Sequence, residues 1–333
     1  MIVNLNRRDL LARCLESLWN QTYGDFEVIV VDNGSHDGSV EFLDSLRNPR
    51  LRVVALPENK GFAGGCNAGI AEAQARYIAT LNNDAEVDAN WLRELVHGIE
   101  SDPSIGMCAS KILFHGDRSR IDKVGHLIYP DGLNHGRGSG EPDRGQFEKR
   151  EEVLFPDAAA ALYRREMLNV IGAFDEQFFA YGDDADLGLR GRLAGWNCLY
   201  IPTAIVYHVH SATAGEFSPM KAFLIERNRI WVAVKTFPLS LLLLSPFFTA
   251  VRFAYHAYGA LFRVGSSGQY AAECSRAQLA LMILKAYWSG LRHLPQMWRS
   301  RRKIRKFVRI TDRDFAALIR RHRIRLRSLT LGT

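Results

Sequence analysis

Three aspartates in four positions, Asp183-Asp184-Ala185-Asp186, follow Gly182 and precede the apolar Leu187 and Leu189. The pattern places acidic side chains where a loop enters a helix. Carboxylates at a helix start are favoured by the dipole, so one reading is capping by Asp183 or Asp184. Capping alone does not need three. Crowded, partly buried carboxyls hold their protons more tightly than isolated ones, and such a group can accept a proton near neutral pH. The second reading is therefore a general base.

Two further clusters sit at the ends of apolar runs. Asp32-Asn33-Gly34-Ser35 closes the run 26–31, and Asn82-Asn83-Asp84 closes the run 77–81. A hard divalent cation such as Mg²⁺ or Mn²⁺ takes oxygen ligands and is readily shared with a diphosphate, and Asp84 suits that role. Alone, either turn is ordinary loop chemistry. Between them, residues 59–69 carry glycines at 61, 64, 65 and 69. These let backbone amides approach a ligand, and the helix that follows offers its positive end to phosphate. No Gly-Lys-Ser/Thr follows, so this is not a Walker loop.

The elements that must position these residues are legible in the apolar spacing. Residues 1–5 read as the end of a strand. Residues 8–20 carry Leu10, Leu11, Cys14, Leu15 and Leu18 on a helical stripe, and 26–31 is a continuous buried strand. Strand, helix and strand make a βαβ unit with a parallel sheet. A helix at 40–46, strands at 51–56 and 77–81 and the intervening Gly-rich helix continue the alternation. Ligands of open α/β sheets bind beyond the carboxyl ends of the strands, where the Asp32 and Asp84 turns fall. Because only residues 1 to 4 or 5 supply the first strand, the natural chain is expected to begin upstream.

The 333 residues, 47% hydrophobic and 24% charged, suffice for one catalytic domain plus an extension. Of the net charge of +7, residues 299–327 contribute +11, with 13 Lys or Arg against Asp312 and Asp314, and the remainder sums to −4. That distribution indicates no nucleic-acid partner; the basic tail suits an anionic surface. Five scattered cysteines without CxxC spacing fit a reducing compartment, and no signal peptide is visible. His115, His126 and His135, in the long stretch 114–150, match no usual zinc spacing and read as solvated loop histidines.

Taken together, residues 2–7, 31–35, 59–67, 81–84, 172–176, 183–187, Gly195-Trp196 and Val206-Tyr207-His208 resemble the inverting nucleotide-sugar glycosyltransferases of family 2. The resemblance covers residues 1–238 in the family's order. Within the family the chain is most similar to bacterial rhamnosyltransferase-type enzymes of cell-surface polysaccharide assembly. It implies a GT-A fold, an α/β, Rossmann-like, mostly parallel sheet flanked by helices. It also implies a UDP- or dTDP-sugar donor such as dTDP-rhamnose, a lipid-linked saccharide acceptor and Mg²⁺ or Mn²⁺. By the same resemblance, Asp32 reads the nucleobase, Asn82 and Asp84 stand in the DxD motif and Asp84 is the metal ligand. Asp184 is the general base beside Asp183. His208, with His210 as the fallback, is a second metal or diphosphate contact. Asn4, Asn59, Gly61, Phe62 and Asn67 fall on the nucleotide side. Three positions depart from the family pattern: Asn82 for the first Asp of DxD, Asp183 for the usual Glu, and Asp157-Ala158-Ala159 for Ser-Gly-Ala. The alternatives are a polyprenyl-phosphate glycosyltransferase and a non-catalytic GT-A scaffold of a polysaccharide assembly complex.

Beyond residue 238 the character changes. Residues 238–262 are strongly apolar, but Pro246, Arg252 and His256 intrude on the roughly 20 apolar residues that a spanning helix needs. Residues 277–291 form a second apolar helix near Trp288 and Trp298, followed by the basic run. Aromatics beside clustered Lys and Arg suit a headgroup layer. The expected organisation is a GT-A domain at 1–238 and a helical, apolar then basic, membrane-association region at 239–333. The expected place is the cytoplasmic face of the membrane, by a peripheral or re-entrant contact. The bland reading is that these helices pack on the catalytic domain.

Overall fold

The computed structural model describes residues 1–209, 218–262 and 276–326, and the chain forms two compact units. The first comprises Met1–His126 with Gly136–Thr213, the second Leu127–His135 with Ala214–Thr333.

In the first unit, strands β1 (Ile2–Asn4), β2 (Val28–Asp32), β3 (Leu51–Ala55) and β4 (Tyr77–Asn82) form the parallel half of the sheet. Helices α1 (Arg8–Trp19), α2 (Ser39–Ser45) and α3 (Gly61–Glu72) connect them. The reasons are local. In α1 the buried residues Leu11, Cys14, Leu15 and Leu18 recur at helical spacing, and in β2 every residue is buried, as a strand covered on both faces requires.

Next come β5 (Ala85–Val87), α4 (Trp91–Glu100) and β6 (Ile105–Phe114). The short strands β7 (Ile121–Lys123) and β10 (Glu151–Glu152) follow, and between them β8 (His126–Ile128) and β9 (Asn134–Gly136), which pair with each other, carry the chain into and out of the segment Leu127–His135 of the second unit. The unit closes with β11 (Ala160–Arg164), α5 (Arg165–Ile171), α6 (Asp183–Leu193) and β12 (Asn197–His208). The strand order is β10-β12-β6-β11-β4-β1-β2-β3, with β5 on β12 and β7 on β6. The sheet is mixed, because β11 runs antiparallel to both β4 and β6, whereas β12 is parallel to β6. Two reversals bring β12 back into the direction of β4. The carboxyl ends of β1, β2, β4 and β12 therefore meet at one edge, delivering Asn4, Asp32, Asn82 and His208 there. Beneath that edge lies a core in which Trp91 is buried and its indole N–H donates to Ser110 Oγ at 2.9 Å. The burial of each such large side chain contributes about 1.5–3 kcal/mol.

The stretch 114–150, expected to be a loop, instead carries β7, β8 and β9. Strands of three residues are too short for alternation to register in the sequence.

The second unit contains α7 (Pro219–Thr236), α8 (Leu239–Phe262), α9 (Arg276–Arg292), α10 (Leu294–Ile304) and α11 (Asp312–Arg321). The expected break at residue 238 falls inside it. Helix α7 belongs with the C-terminal helices: Trp231 Nε1 donates to Gly290 O at 3.3 Å, and Arg301 donates to Val234 O at 2.9 Å. Helix α8 runs through Pro246 without a break, and Leu239–Gly259 is, among the described residues, the one span long and apolar enough to cross a membrane by length and composition. Arg252, which intrudes on its apolar pattern, is buried against Asp131 at 2.7 Å and Glu226 at 2.8 Å. The basic run is folded as well. Thr311 caps α11 by accepting from Asp314 N at 3.1 Å, and Phe315 and Ile319 are buried.

Candidate functional site

At the sheet edge the two central strands present a polar ladder. Asn4 Nδ2 donates to Asp32 Oδ1 and to Ser35 Oγ, each at 3.3 Å, and Asn83 Nδ2 donates to Asn4 Oδ1 at 2.8 Å. Ser35 N donates to Asp32 Oδ2 at 2.9 Å, which fixes the carboxylate. Asn4, Asp32 and Asn83 are all buried. Beside this ladder lies an open cavity of about 750 Å³ lined by Asn6, Arg7, Arg8, Asp37 and Val209.

The Gly-rich turn is held from β2. Asn33 Nδ2 donates to Asn59 Oδ1 and to Gly61 O at 3.0 Å, while Lys60 N donates back to Asn33 Oδ1 at 2.9 Å. Gly61 has φ +72°, and an added Cβ would strike the Phe179 carbonyl, so only glycine fits. Phe62 meets the Phe174 ring edge-on at 6.0 Å. The Asn67 amide is engaged with protein: Nδ2 donates to Phe174 O and Glu176 Oε1 at 2.9 Å, and Oδ1 accepts from Phe174 N at 3.0 Å. Asn67 thus ties α3 to the segment before α6.

His208 stands between two carboxylates. Its Nε2 is 3.1 Å from Asp84 Oδ1, and its Nδ1 is 2.8 Å from Asp122 Oδ2. Asn82 Nδ2 lies 3.4 Å from the same Nε2. Burial lowers the imidazole pKa, but Asp122 and Asp84 outweigh it and raise the value to about 9. A carboxylate on one ring nitrogen is the arrangement that orients a metal-binding histidine, leaving Nε2 and the Asp84 carboxylate as the donor pair. The donor set fits a divalent cation. His210 lies outside the described residues.

The acidic run is presented by a strained turn. Phe179 at φ +66° and Tyr181 at φ +64° are bulky side chains in the left-handed region, and Gly182 at φ +77° is the N-cap of α6. The N-cap glycine has no side chain to cap this helix; Asp184 Oδ1 accepts from the Ala185 N–H at 2.7 Å, and its Oδ2 faces His126 at 3.4 Å. Asp186 is accounted for structurally: Arg190 Nε donates to it at 2.8 Å, and the guanidinium also reaches the carbonyls of Ile171, Gly172 and Ala173. Asp183 and Asp184 remain. Burial, then the charge of Asp184, pushes the Asp183 carboxyl well above the usual carboxylate range, and its Oδ2 has no hydrogen-bond partner among the described residues. Burial also raises Asp184, with His126 partly opposing.

Around Asp184 lies a group that the sequence did not reveal. His126 Nε2 is 3.4 Å from Asp184 Oδ2 and 3.0 Å from Asp157 Oδ2, and Lys123 Nζ donates to the same Asp157 oxygen at 2.6 Å. Burial alone would push the Asp157 carboxyl up, but Lys123 and His126 together hold it well below the usual range. The reading of His126 as a solvated loop residue is corrected: it is buried, stacked on Phe155 at 5.0 Å and paired with carboxylates. His115 is also engaged, 3.0 Å from Glu86 Oε1. No spacing rule could have found His126, because its partners lie 31 and 58 residues away along the chain. The one hint was Asp157, a carboxylate where small residues were expected.

His126, Asp157 and Asp184 bring their donor atoms within 4.8 Å of one another and so form a second possible cation site. There Lys123 already neutralises the Asp157 oxygen that a metal would need. Around the Asp84–His208 pair the contacts are the Asp122 carboxylate on Nδ1 and the Asn82 amide beside Nε2. Consecutive residues of β7 link the two groups, Asp122 bonding His208 and Lys123 bonding Asp157.

The chain is 28% identical over 260 residues to the N-acetylglucosaminyl-diphospho-decaprenol L-rhamnosyltransferase of Mycobacterium tuberculosis, covering 66% of this chain and 81% of that one. It is 30% identical over 217 residues to the O-antigen biosynthesis protein RfbC of Myxococcus xanthus, covering 62% of this chain and 17% of that one. It is 31% identical over 230 residues to an uncharacterised protein, y4gI, of Sinorhizobium fredii, covering 64% and 24%. The chain thus spans a quarter or less of the length of the latter two relatives. Among solved structures, GalNAc-T7 with UDP, GalNAc and Mn²⁺ superposes with a TM-score of 0.58 at 18% identity, covering 70% of this chain and 47% of that one. The mannosyltransferase PcManGT of Pyrobaculum calidifontis, with GDP-Man and Mn²⁺, gives 0.54 at 16%, covering 92% and 84%. At such identities the likeness speaks to the fold, which is GT-A. Residues 1–172 match the model of glycosyl transferase family 2, and the chain belongs to that family.

Proposed function

We propose that the protein transfers a sugar, with inversion, from a UDP- or dTDP-sugar, for which dTDP-rhamnose is the first choice, to a hydroxyl of a lipid-linked saccharide in cell-surface polysaccharide synthesis. The observation that carries this reading is the pair of buried groups joined through β7: the Asp84–His208 pair, whose donors suit a cation, and the Asp183–Asp184 pair, whose raised carboxyls suit proton uptake. Asp32 and Asn4 hold the nucleobase side, and the Asn59–Gly61 turn, Phe62 and Asn82 border the donor. Asp184, less buried than Asp183, accepts the proton of the acceptor hydroxyl. As that oxygen bonds to the anomeric carbon, the bond from the carbon to the diphosphate oxygen on the opposite face breaks, and one displacement inverts the centre. Asp84 and His208 would hold Mg²⁺ or Mn²⁺, which neutralises the departing diphosphate. Asp122 keeps the His208 ring in place for that task.

A lipid-linked acceptor agrees with the decaprenol-linked substrate in the mycobacterial relative's name. It agrees too with the second unit, where Leu243, Phe247, Leu284 and Trp288 are exposed. On this reading the enzyme works at the cytoplasmic face of the membrane.

The test is titration calorimetry of the full chain with UDP, dTDP and GDP, each with and without Mn²⁺. Wild type should bind a pyrimidine diphosphate in a metal-dependent manner, and Asp84→Ala should remove the metal dependence. An unchanged metal effect in the variant would overturn the assignment of Asp84, and the absence of any nucleotide binding would overturn the enzyme reading in favour of a scaffold.

A further inference from the structure

Within the second unit, α7, α8 and α10 enclose a groove of about 600 Å³. Val234, Leu242, Leu294 and Trp298 form its apolar walls, and Arg299 and Arg302 stand on its rim. Both arginines are exposed, and among the described residues neither has a carboxylate within 4 Å. A third arginine of the same helix lies beneath. Arg301 is only 4% exposed, donates through Nη1 to the Val234 carbonyl at 2.9 Å, and packs its guanidinium 5.5 Å from the Trp298 ring. Its Nη2 is buried without a hydrogen-bond partner. A buried cation without an acid beside it is costly, and an anion brought nearby offsets part of that cost. The nearest acid along the chain, Asp312, is taken by Arg305 at 2.8 Å. The same side of α8 continues into exposed apolar surface, since Leu239, one turn before Leu242, and Leu243, one turn after Leu239, are 52% and 80% exposed.

We propose that this groove seats a single lipid molecule with a phosphate headgroup, the apolar walls taking the first part of its hydrocarbon chain and Arg299 and Arg302 its phosphate. The occupant follows from the chemistry of the lining. The walls lack the backbone partners that a peptide strand would require, three arginines without acids call for an anion, and the adjoining α8 surface matches a long apolar chain. Arginine is the residue suited to phosphate, because its planar fork offers paired donors. The inference deepens the reading above, in which the acceptor is carried on a lipid, and it gives that lipid a place distinct from general adhesion to a charged bilayer.

The experiment uses the full chain in micelles of a non-ionic maltoside detergent, which carries no phosphate, with a C55 polyprenyl phosphate, the polyprenol of the same length and inorganic phosphate as probes. Stoichiometry is read by native mass spectrometry, and affinity by the change in tryptophan fluorescence. The expected result is one saturating polyprenyl phosphate per chain, bound at least tenfold more tightly than the polyprenol. The double variant Arg299→Gln/Arg302→Gln should lose that tenfold advantage while binding polyprenol as before, Trp298→Phe should lose most of the fluorescence response, and Lys303→Gln/Lys306→Gln should change neither. Equal affinity for phosphate and alcohol, an unaffected double variant, or non-saturating uptake would overturn the proposal. So would inorganic phosphate competing as well as the lipid, which would mark an anion site without a lipid seat. Mn²⁺-dependent nucleotide binding by the same preparation keeps the two readings apart: if it persists while lipid binding fails, only the groove is lost.

Discussion

Asp183 and Asp186 lie three residues apart on one helix, and the fold treats them in opposite ways. Asp186 is neutralised by Arg190, whereas Asp183 is buried without a counter-charge and Asp184 sits at the end of the array formed by Lys123, Asp157 and His126. The sequence marked all three carboxylates, but it could not separate the structural one from the others, since Arg190 is as plausible on a solvated face as in a buried pair. Two predictions belong here. Asp184→Asn should leave nucleotide binding nearly intact and lower turnover by at least about a hundredfold, the usual cost of losing a general base. Wild-type turnover in that variant would sink the assignment, and a larger loss in Asp183→Asn would move the base one residue earlier. The second prediction concerns stability. Burial and Asp184 raise the pKa of the folded Asp183 carboxyl above its unfolded value, so the folded state binds that proton more tightly. Stability therefore falls as pH climbs from the unfolded value of about 4 toward the folded one. Asp183→Asn removes the titration while keeping the shape, and its Tm relative to wild type should be higher at pH 8 than at pH 4. A difference in Tm that does not change with pH would contradict the raised value.

At the scale of elements, the parallel half of the sheet was legible because β2, β4 and the stripe of α1 each bury enough residues for their periodicity to show. The other half was not. Strands β7 and β8 are three residues long, and what holds Asp122, Lys123 and His126 in place is pairing with residues remote in the chain, which no local pattern encodes. Helix α6 shows how packing reaches the site. Gly188 lies against Phe155, where an added Cβ would run into the Phe155 Cβ, and Phe155 stacks on His126. The sequence marks this glycine only as a mild helix weakness of about 1 kcal/mol. In place it is a close contact between α6 and the segment that supports His126. Gly188→Ala should therefore destabilise the protein by about 1–3 kcal/mol, the usual cost of overpacking, despite the better helix propensity of alanine. Chemical denaturation measures it, and a stabilised variant would show that the helix and the Phe155 segment can separate at little cost. The variant should also lower turnover more than it lowers Mn²⁺-dependent nucleotide affinity, because Phe155 touches the His126 group rather than the Asp84–His208 pair.

For the molecule as a whole, composition gave notice of an apolar and then basic C-terminal region, yet its folded character changes how membrane contact must be tested. Truncation after Met297 would cut α10 in two and remove the buried Ile304, Phe315, Ile319 and Ile324, and truncation after Pro238 would strip α7 of Gly290 and Arg301. Neither deletion isolates membrane binding from unfolding, so exposed side chains are the better probes. Phe247 and Trp288 are 65% and 69% exposed, and burying each in an acyl boundary is worth about 1.5–3 kcal/mol. Each Lys or Arg close to anionic lipid adds about 1 kcal/mol, within a Debye length of roughly 8 Å at physiological salt. The two contributions respond differently to salt. Phe247→Ser with Trp288→Ser should weaken liposome binding at every ionic strength and leave a remainder that high salt abolishes. Arg313→Gln with Arg320→Gln, on the exposed side of α11, should weaken binding at low salt and leave the high-salt binding unchanged. Co-sedimentation with vesicles containing phosphatidylglycerol, across a salt series, reads both effects. Full-length protein that ignores such vesicles even at low salt would mean that the exposed face of α8 and α9 meets a protein partner instead.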